Sequence, residues 1–269
     1  LGIAALATEL GRTLVELECN PVIASPDGAI AVDARLIVDD DAPSVDDDPG
    51  TDFTALFAPR GVAIAGASAS KQTFGNRFLA AYRAMGWTDH LAAIHPSADA
   101  IDGVPAFADV RDIPFPVDYV VAAVPAPACA DLVRAVADQV PFVHVISGGF
   151  GETDAAGHDL EDDLRDAARS TGVRVLGPNC MGTYSPRGRQ TFQLDVPLDA
   201  GHVSVVSQSG GLAGDIVKVG AARGVRFSKL VTIGNAVDVT PGELCEWLAA
   251  DDDTHVLGLY LEDPRDGAR

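Results

Sequence analysis

Several features are scarce in this sequence of 269 residues, and each scarcity excludes a class of protein. The four cysteines are scattered and never form a CxxC pair, which argues against a disulfide framework or a zinc site and favours a reducing cytoplasm. No apolar run approaches the roughly 20 residues that a membrane-spanning helix needs. No basic segment follows Leu1, so we expect no secretory signal and, because the first residue is not methionine, a longer parent polypeptide.

Lysine is also rare, with 3 residues against 16 arginines, while Asp and Glu together number 39 and give a net charge of −20. The electrostatic field of a protein with this charge repels nucleic acid and anionic membranes, so neither is expected as a partner. Two origins of the acidic bias stay open. A GC-rich genome favours Ala, Asp and Arg over Lys, whereas a salt-rich cytoplasm selects an acidic surface because dense salt screens its self-repulsion. We favour the second, halophilic origin.

The residue pattern divides the chain into four parts. Residues 1–38 predict a helix followed by two strands around the turn Ser25–Gly28. Residues 39–50 carry six aspartates and two prolines, which is typical of a solvated linker. In residues 51–190 five short apolar runs alternate with helical patterns, and this predicts a parallel sheet with helices on both faces. Residues 191–269 repeat the alternation with three strands, so we expect this domain to continue beyond the sequence.

The turn Gly66–Ser70 follows the first strand of the 51–190 region and precedes a helix near Gly75. At this position a Rossmann fold binds phosphate with backbone N–H groups and the helix dipole. A dinucleotide site would show GxGxxG here and an acidic residue after the second strand, but that strand ends in Ile-His-Pro at 94–96. NAD binding is therefore disfavoured, whereas a different phosphate-bearing ligand and an ordinary βα turn both stay open.

A second candidate loop, GPNCMG at residues 177–182, follows another strand and so lies at the carboxyl edge of the sheet, where ligands bind. Its glycines allow close backbone approach, and Asn179 offers donors and an acceptor. Cys180 is a candidate nucleophile, but no basic residue lies near it in sequence to lower its pKa. We therefore favour a packed thiol beside the ligand over covalent catalysis.

A third loop, SQSGG at residues 207–211, separates a strand from a helix that begins near Leu212. Small residues at a helix N-terminus leave free N–H groups that can bind an anion. As a nucleophile elbow the same loop would make Ser209 a hydrolase nucleophile, but Ser207 replaces the first glycine and His255 is the one histidine that follows. The hydrolase hypothesis is therefore disfavoured.

Together, the motifs GAS (66–68), VPAP (124–127), GPNCMG (177–182) and VSQSGGL (206–212) resemble succinyl-CoA synthetase alpha subunits in order and sequence. They look closest to the NDP-forming acyl-CoA synthetases, the ADP-forming acetate–CoA ligases, and further matches at 227–238 and 259–267 extend the resemblance over nearly the whole chain. The resemblance implies an α/β fold. A Rossmann-like CoA-binding domain would be followed by the start of a flavodoxin-like succinyl-CoA-ligase domain and preceded by the last strands of an ATP-grasp domain.

The resemblance also implies a CoA site along three loops, with the loop 177–182 near the thiol end of CoA. After the second strand the family commonly has Asn-Pro-Lys, with the lysine near a CoA phosphate, whereas this chain has His-Pro-Ser at 95–97. The implied CoA-binding residues are Gly66, Ala67, Ser68, Ala69, Ser70, Val124, Pro125, Pro127, Asn179 and Cys180.

For the nucleotide side the resemblance implies ATP or ADP together with Mg²⁺. The oxygens of Asn20 and Asp33, on adjacent strands, are hard ligands of the kind Mg²⁺ prefers. Glu18 matches the glutamate that holds a swinging phosphohistidine at the nucleotide site. None of the six histidines lies in the family's HTGA context, so the phosphorylated histidine is expected beyond Arg269.

At the CoA end the resemblance gives the same phosphohistidine two further contacts. Ser209 and Gly210 match residues that cradle its phosphate, and Glu262 matches the glutamate that orients it. The implied enzyme interconverts acyl-CoA, NDP and phosphate with acid, CoA and NTP. Its partners would be a small carboxylic acid or acyl-CoA, the remaining parts of the same ligase, and further copies in a homo-oligomer. The alternative is a CoA-binding regulatory module of a protein acetyltransferase, and the intact Glu18 and Glu262, together with the two Mg²⁺ candidates, weigh against it.

Overall fold

The computed structural model describes residues 2–26, 28–38 and 50–265, and the chain divides into two compact units, one before Gly50 and one from Gly50 to Arg265. The acidic segment 39–50 lies, except for Gly50, outside the described residues, and its assignment as a linker stays a prediction. The domain boundaries drawn from the sequence stay predictions.

The first unit is a helix followed by a folded β ribbon. It contains α1 (Gly2–Leu10), a 3-10 turn (Gly11–Thr13), β1 (Leu14–Cys19), β2 (Val22–Ser25), β3 (Gly28–Ala31) and β4 (Ala34–Val38). β1 pairs antiparallel with β4, and β2 pairs antiparallel with β3. The predicted helix is present, but the prediction of two strands was wrong because each strand breaks once. Pro21, which has no N–H for the ladder, interrupts the first, and residues 32–33 interrupt the second opposite it.

The second unit begins with a seven-stranded sheet. Its elements are α2 (Thr54–Phe57), β5 (Val62–Ala65), α3 (Phe74–Ala84), β6 (Leu91–Ile94), β7 (Ala100–Ile101), β8 (Val104–Phe107), β9 (Tyr119–Ala122), α4 (Cys129–Ala135), β10 (Phe142–Val145), α5 (Ala155–Thr171) and β11 (Arg174–Leu176). The strand order is β11-β10-β9-β5-β6-β8-β7, and all neighbours are parallel except β7 and β8. The five predicted strands are present as β5, β6, β9, β10 and β11, whereas β7 and β8 were not predicted.

Helices cover this sheet on both faces. Its central strands carry apolar side chains on both faces, and each face needs a covering layer. In β5, Val62 and Ile64 belong to a core cluster with α3, whereas Ala63 belongs to a second cluster with α4 and α5. This division follows from the alternation of side chains along a strand. The strand order reverses between β5 and β9, and such a switch point opens a crevice at the carboxyl ends of the two strands.

A second, four-stranded sheet completes the unit. It is built from β12 (Thr183–Tyr184), β13 (Val203–Ser207), α6 (Gly210–Ala222), β14 (Phe227–Thr232), α7 (Pro241–Ala249) and β15 (Val256–Tyr260). The order is β12-β14-β13-β15, with β12 antiparallel and the rest parallel. The three predicted strands are present, and β12 was missed. Within the described ranges, no helix has both the length and the apolar character needed to cross a membrane.

Backbone and side-chain contacts join the two sheets of this unit. Arg174, at the start of β11, donates to Asp238 at 3.0 Å and to both carboxylate oxygens of Glu243 at 3.0 Å. The N–H of Val237 donates to the Gly177 carbonyl at 2.9 Å. One hydrophobic core cluster contains residues from both sheets. The loop that follows β11 is therefore fixed by the second sheet as well as by its own.

Candidate functional site

The turn Gly66–Ser70 leaves the carboxyl end of β5 with a fixed shape. Gly66 has φ +92° and lies so close to the neighbouring strand that an added Cβ would be 2.1 Å from the Ala123 carbonyl oxygen. The buried Asn76 side chain accepts from the N–H of Ser68 at 3.0 Å and donates to the Ser68 carbonyl at 2.9 Å. Sequence analysis did not single out Asn76, although it completes a capping box at the start of α3.

The segment Val124–Pro127 follows β9, so it lies beside the turn that follows β5. The N–H of Ala123 donates to the Ala65 carbonyl at 2.9 Å and extends the ladder between these strands. Ser147, just after β10, donates its hydroxyl to the carbonyl of the first residue of this segment. The Ser147 carbonyl in turn accepts from the N–H of Asn179 at 2.9 Å. Ser147 therefore connects two predicted CoA-binding segments, and no motif marks this role in the sequence.

The loop 177–182 follows β11 at the same edge of the sheet. Asn179 is exposed and has φ +57°, a conformation that Asn tolerates better than most residues. Cys180 is buried, with its Sγ 3.9 Å from the Val145 carbonyl oxygen, and burial raises its pKa to about 12. A thiol with that pKa is protonated at neutral pH and is a poor nucleophile. This geometry favours the packed thiol over covalent catalysis.

Asn235 joins the second sheet to this loop, and sequence analysis missed it. Its N–H donates to the Pro178 carbonyl at 3.0 Å, and its amide donates to Glu152 at 2.6 Å and to Glu161 at 2.8 Å. Burial pushes the pKa of Glu152 up, but the hydrogen bond from Asn235 and those from backbone N–H groups outweigh it and lower the pKa. These side chains line a cavity of about 350 Å³ that also includes Arg165.

The loop 207–211 starts α6 and holds the segment after β15. Ser209 is the N-cap of α6, and its hydroxyl accepts from the N–H of Leu212 at 3.3 Å. The Gln208 side-chain oxygen accepts from the N–H groups of Glu262 and Asp263, the latter at 2.7 Å. Glu262 is exposed, and a hydrogen bond from Tyr260 to its carboxylate raises the pKa of that phenol. Gln208 thus keeps the Glu262 backbone next to the N-terminus of α6.

The structure brings the second and third candidate loops into contact. An added Cβ on Gly210 would be 2.6 Å from Cγ of Met181, so only a glycine fits there without moving that side chain. The residues implied for the thiol end of CoA (Asn179 and Cys180) and those implied for the phosphate (Ser209 and Gly210) therefore lie side by side. The sequence did not predict this contact, because the loops are about thirty residues apart.

In the first unit, three further candidates share one face of the β1–β4 ribbon. Glu18 lies opposite Arg35 in the register, and the N–H of Asn20 donates to the Asp33 carbonyl at 3.1 Å, which continues the same pairing. Opposed residues, and residues two apart on one strand, project to the same face. Two exposed oxygen donors in this arrangement suit a Mg²⁺ ion, which also takes phosphate oxygens and water. Among the described residues no group of three or more His, Cys, Asp or Glu could hold a metal.

Two family models match the second unit. Residues 60–186 match the CoA binding domain, and residues 200–269 match the succinyl-CoA ligase like flavodoxin domain. The second unit thus has the α/β fold of a CoA-binding domain followed by a flavodoxin-like domain, and the predicted fold class is confirmed for this unit. The assignment of the first unit to an ATP-grasp domain, which the resemblance implied, stays a prediction.

The chain is homologous to the ADP-forming acetate–CoA ligases in the region of their alpha subunits, as the motifs predicted. It is 28% identical over 261 residues to acetate–CoA ligase II of Archaeoglobus fulgidus, covering 95% of this chain and 38% of that protein. It is 30% identical to the alpha subunit of acetate–CoA ligase II of Pyrococcus furiosus, covering 80% of this chain and 47% of the subunit. The chain therefore spans less than half of these relatives.

Solved structures agree. The dinucleotide forming acetyl-coenzyme A synthetase 1 of Ca. Korarchaeum cryptofilum, in complex with phosphate and ADP, matches with a TM-score of 0.72 and 31% identity, over 80% of this chain and 47% of that one. An ATP citrate lyase from Methanothrix soehngenii matches at 15% identity with a TM-score of 0.58, which shows a shared fold and no more. Nothing among these relatives supports the acetyltransferase alternative.

Proposed function

We propose that this chain is the CoA-binding and phosphate-transfer part of an ADP-forming acid–CoA ligase. The observation that carries the proposal is the contact between Met181 and Gly210, because it joins a loop suited to the thiol end of CoA to a helix N-terminus suited to phosphate. A reaction in which phosphate replaces CoA on an acyl group needs these two binding functions next to each other. The proposed substrates are acyl-CoA, phosphate and ADP in one direction, and a small carboxylic acid, CoA and ATP in the other.

In the proposed reaction, this chain's residues bind and orient rather than form covalent bonds. The turn Gly66–Ser70 and the segment Val124–Pro127 bind CoA at the switch-point crevice, and Asn179 lies near its thiol end. Acyl phosphate forms there, and its phosphate passes to a histidine of the ligase. Ser209 and Gly210 donate hydrogen bonds to that phosphate, while Glu262 accepts from the imidazole and fixes its tautomer. A covalent intermediate of this kind lets distant sites share one reaction.

The first unit is proposed to serve the nucleotide side of the same ligase. Asn20 and Asp33 would hold Mg²⁺, which neutralises charge on the phosphates of ATP or ADP when bound. Glu18 would accept from the phosphohistidine after it has moved from the acyl side. The remaining parts of the ligase, a cytoplasmic location and a homo-oligomeric state are proposed from the family resemblance.

Calorimetry on the 269-residue chain tests the CoA site. We expect CoA to bind and NAD not to bind, because the turn after β5 lacks GxGxxG and β6 is followed by His95 and Pro96 rather than an acid that could hold a ribose. Titration with desulfo-CoA serves as a control for contacts that involve the thiol. Tighter binding of NAD than of CoA would overturn the proposed function.

The acidic surface is proposed to be an adaptation to high salt. If so, the melting temperature of the chain should rise between about 0.1 and about 3 M KCl, because screening relieves self-repulsion. The double variant Asp159→Asn and Asp166→Asn removes two exposed charges from α5 and should raise the melting temperature mainly at low salt. A melting temperature that stays flat or falls with KCl would favour genomic composition as the origin.

A further inference from the structure

His144 is a fully buried imidazole in β10 that the proposed function does not use. Its ring is 0% exposed and packs edge-on against Phe78, with centroids 5.8 Å apart, and 6.0 Å from the ring of Tyr119. Nε2 lies 3.0 Å from the carbonyl oxygen of Cys180. Because a carbonyl oxygen can only accept, Nε2 carries the hydrogen and Nδ1 carries a lone pair.

The surroundings of His144 keep it neutral and tightly packed under the loop 177–182. Its Nδ1 has no hydrogen-bond partner among the described residues, and burial lowers its pKa to about 4. Gly182 lies against the ring, since an added Cβ would be 2.6 Å from Cε1. At neutral pH the imidazole is therefore a fixed, uncharged donor to one carbonyl of the loop.

That hydrogen bond determines which way the next N–H points. The peptide between Cys180 and Met181 is trans, so its N–H is directed opposite to its C=O. Since the carbonyl is turned inward to His144, the N–H of Met181 faces the outer side of the loop. No acceptor for this N–H is found in the described part of the chain. The same nitrogen is 3.7 Å from the position that a Cβ on Gly210 would take, at the start of α6.

Other anchors of the loop act on other groups. Ser147 accepts from the N–H of Asn179 at 2.9 Å, and Thr232 accepts from the N–H of Gly182 at 2.7 Å. Neither contact involves the peptide between Cys180 and Met181. His144 is thus the side chain that orients this peptide.

We infer that the N–H of Met181 donates a hydrogen bond to the acyl carbonyl oxygen of the thioester, and that His144 is the positioning residue that aims it. The inference rests on the proposed function. In that reaction a phosphate oxygen attacks the thioester carbon, and the carbonyl electron pair moves onto oxygen. The pair then returns as the C–S bond breaks, and the CoA thiolate leaves and takes up, through water, the proton that hydrogen phosphate gives up as acyl phosphate forms. A fixed donor at the developing oxyanion lowers the barrier without tightening ground-state binding.

Kinetics of the complete ligase with two His144 variants test the inference. His144→Leu leaves the Cys180 carbonyl without a donor, so kcat for acyl-CoA consumption should fall about 100-fold, while KM for acyl-CoA changes by no more than about threefold. In His144→Gln the side-chain amide can donate to the same carbonyl, and at least about a tenth of the wild-type kcat should return. If kcat falls and KM for acyl-CoA rises by similar factors, and the Gln variant restores neither, His144 has a merely structural role.

A second pair of variants acts on the donor itself and leaves His144 in place. Met181→Pro removes the N–H, whereas Met181→Leu keeps it, and we expect kcat to be at least about tenfold lower for the proline variant than for the leucine variant. Equal kcat values would overturn the inference.

Nitrogen NMR of the chain tests the tautomer without any substitution. We expect His144 to show a protonated Nε2 and a bare Nδ1 at neutral pH, and the opposite tautomer would also overturn the inference. If the wild-type chain binds CoA and the variants keep full kcat, this inference is refuted and the proposed function stands. If the wild-type chain does not bind CoA, the proposed function itself is refuted.

Discussion

Glu262→Gln is expected to slow the acyl-side reaction of the complete ligase by about 100- to 10,000-fold, the range seen when a carboxylate that orients a catalytic histidine is neutralised. A neutral imidazole must present its lone pair to the phosphorus, and a carboxylate on the other nitrogen fixes that tautomer. Glutamine keeps the size of the side chain but can donate as well as accept, so it allows the wrong tautomer. The measurement is the rate of acyl-CoA consumption in the presence of phosphate and ADP.

The neighbouring carboxylate provides the matched control for this variant. Asp263→Asn removes an adjacent exposed charge, which pairs with Arg265 at 3.2 Å, and leaves the Gln208 contacts to the backbone in place. We expect it to change the acyl-side rate by less than about threefold. Whereas Glu262→Gln acts on the acyl-side reaction, we expect Glu18→Gln to slow the exchange of phosphate between ADP and ATP. Equal slowing of both half-reactions by Glu262→Gln, or a loss in Asp263→Asn as large as that in Glu262→Gln, would show that Glu262 has another role.

Gly66→Ala is expected to weaken CoA binding by at least about 100-fold, because displacements near 1 Å at a binding loop already have effects of that size. The new Cβ would be 2.1 Å from the Ala123 carbonyl oxygen, so β5 and β9 must separate where their loops form the crevice. Protein interiors are close-packed and cannot absorb such a shift locally. Calorimetric titration of CoA into the variant chain measures the effect.

Gly86→Ala is the control that separates backbone strain from displacement. Gly86 has φ +90°, nearly the same as the +92° of Gly66, but no atom lies within 4 Å of the position its Cβ would take. The variant should lose about 1 kcal/mol of stability and keep its CoA affinity within about threefold. Similar CoA affinities for the two variants would show that contact at Gly66 does not shape the CoA site. A thermal melt of each variant identifies any loss that comes from unfolding.

Much of the sheet architecture could be predicted because its central strands are short apolar runs that stop at Gly, Pro or Ser. The strands that were missed are of a different kind. β7 and β8 contain two and four residues around the turn Asp102–Gly103, and β12 contains two residues. Two residues show no periodicity, so β7 and β12 depend on the neighbour with which they pair. β8 is as long as the strands that were predicted, but it contains Pro105, and a proline argues against a strand. In the first unit the sequence indicated two strands where there are four, because a break at Pro21 leaves the apolar pattern almost unchanged.

The candidate loops could be found because glycines mark them, and glycine is needed where backbone approaches backbone. Their supporting residues could not be found in this way. Asn76, Ser147, Gln208 and Asn235 are single polar residues whose role depends on a partner far away in sequence. In a sequence such residues look the same as ordinary surface polar groups. His144 is a similar case, since a lone histidine in an apolar strand gives no indication of the carbonyl that it faces.

The pairing of β12 with β14 has a consequence for how substrates exchange. Thr183 and Tyr184, which directly follow the loop 177–182, form an edge strand of the second sheet. The N–H groups of Asn235 and Val237 donate to carbonyls of the same loop. Because hydrogen bonds run from each sheet to the other, the two sheets cannot move apart as separate bodies about a hinge. We therefore expect the GPNCMG loop and the start of α6 to keep the same relative position whether or not a ligand lies between them.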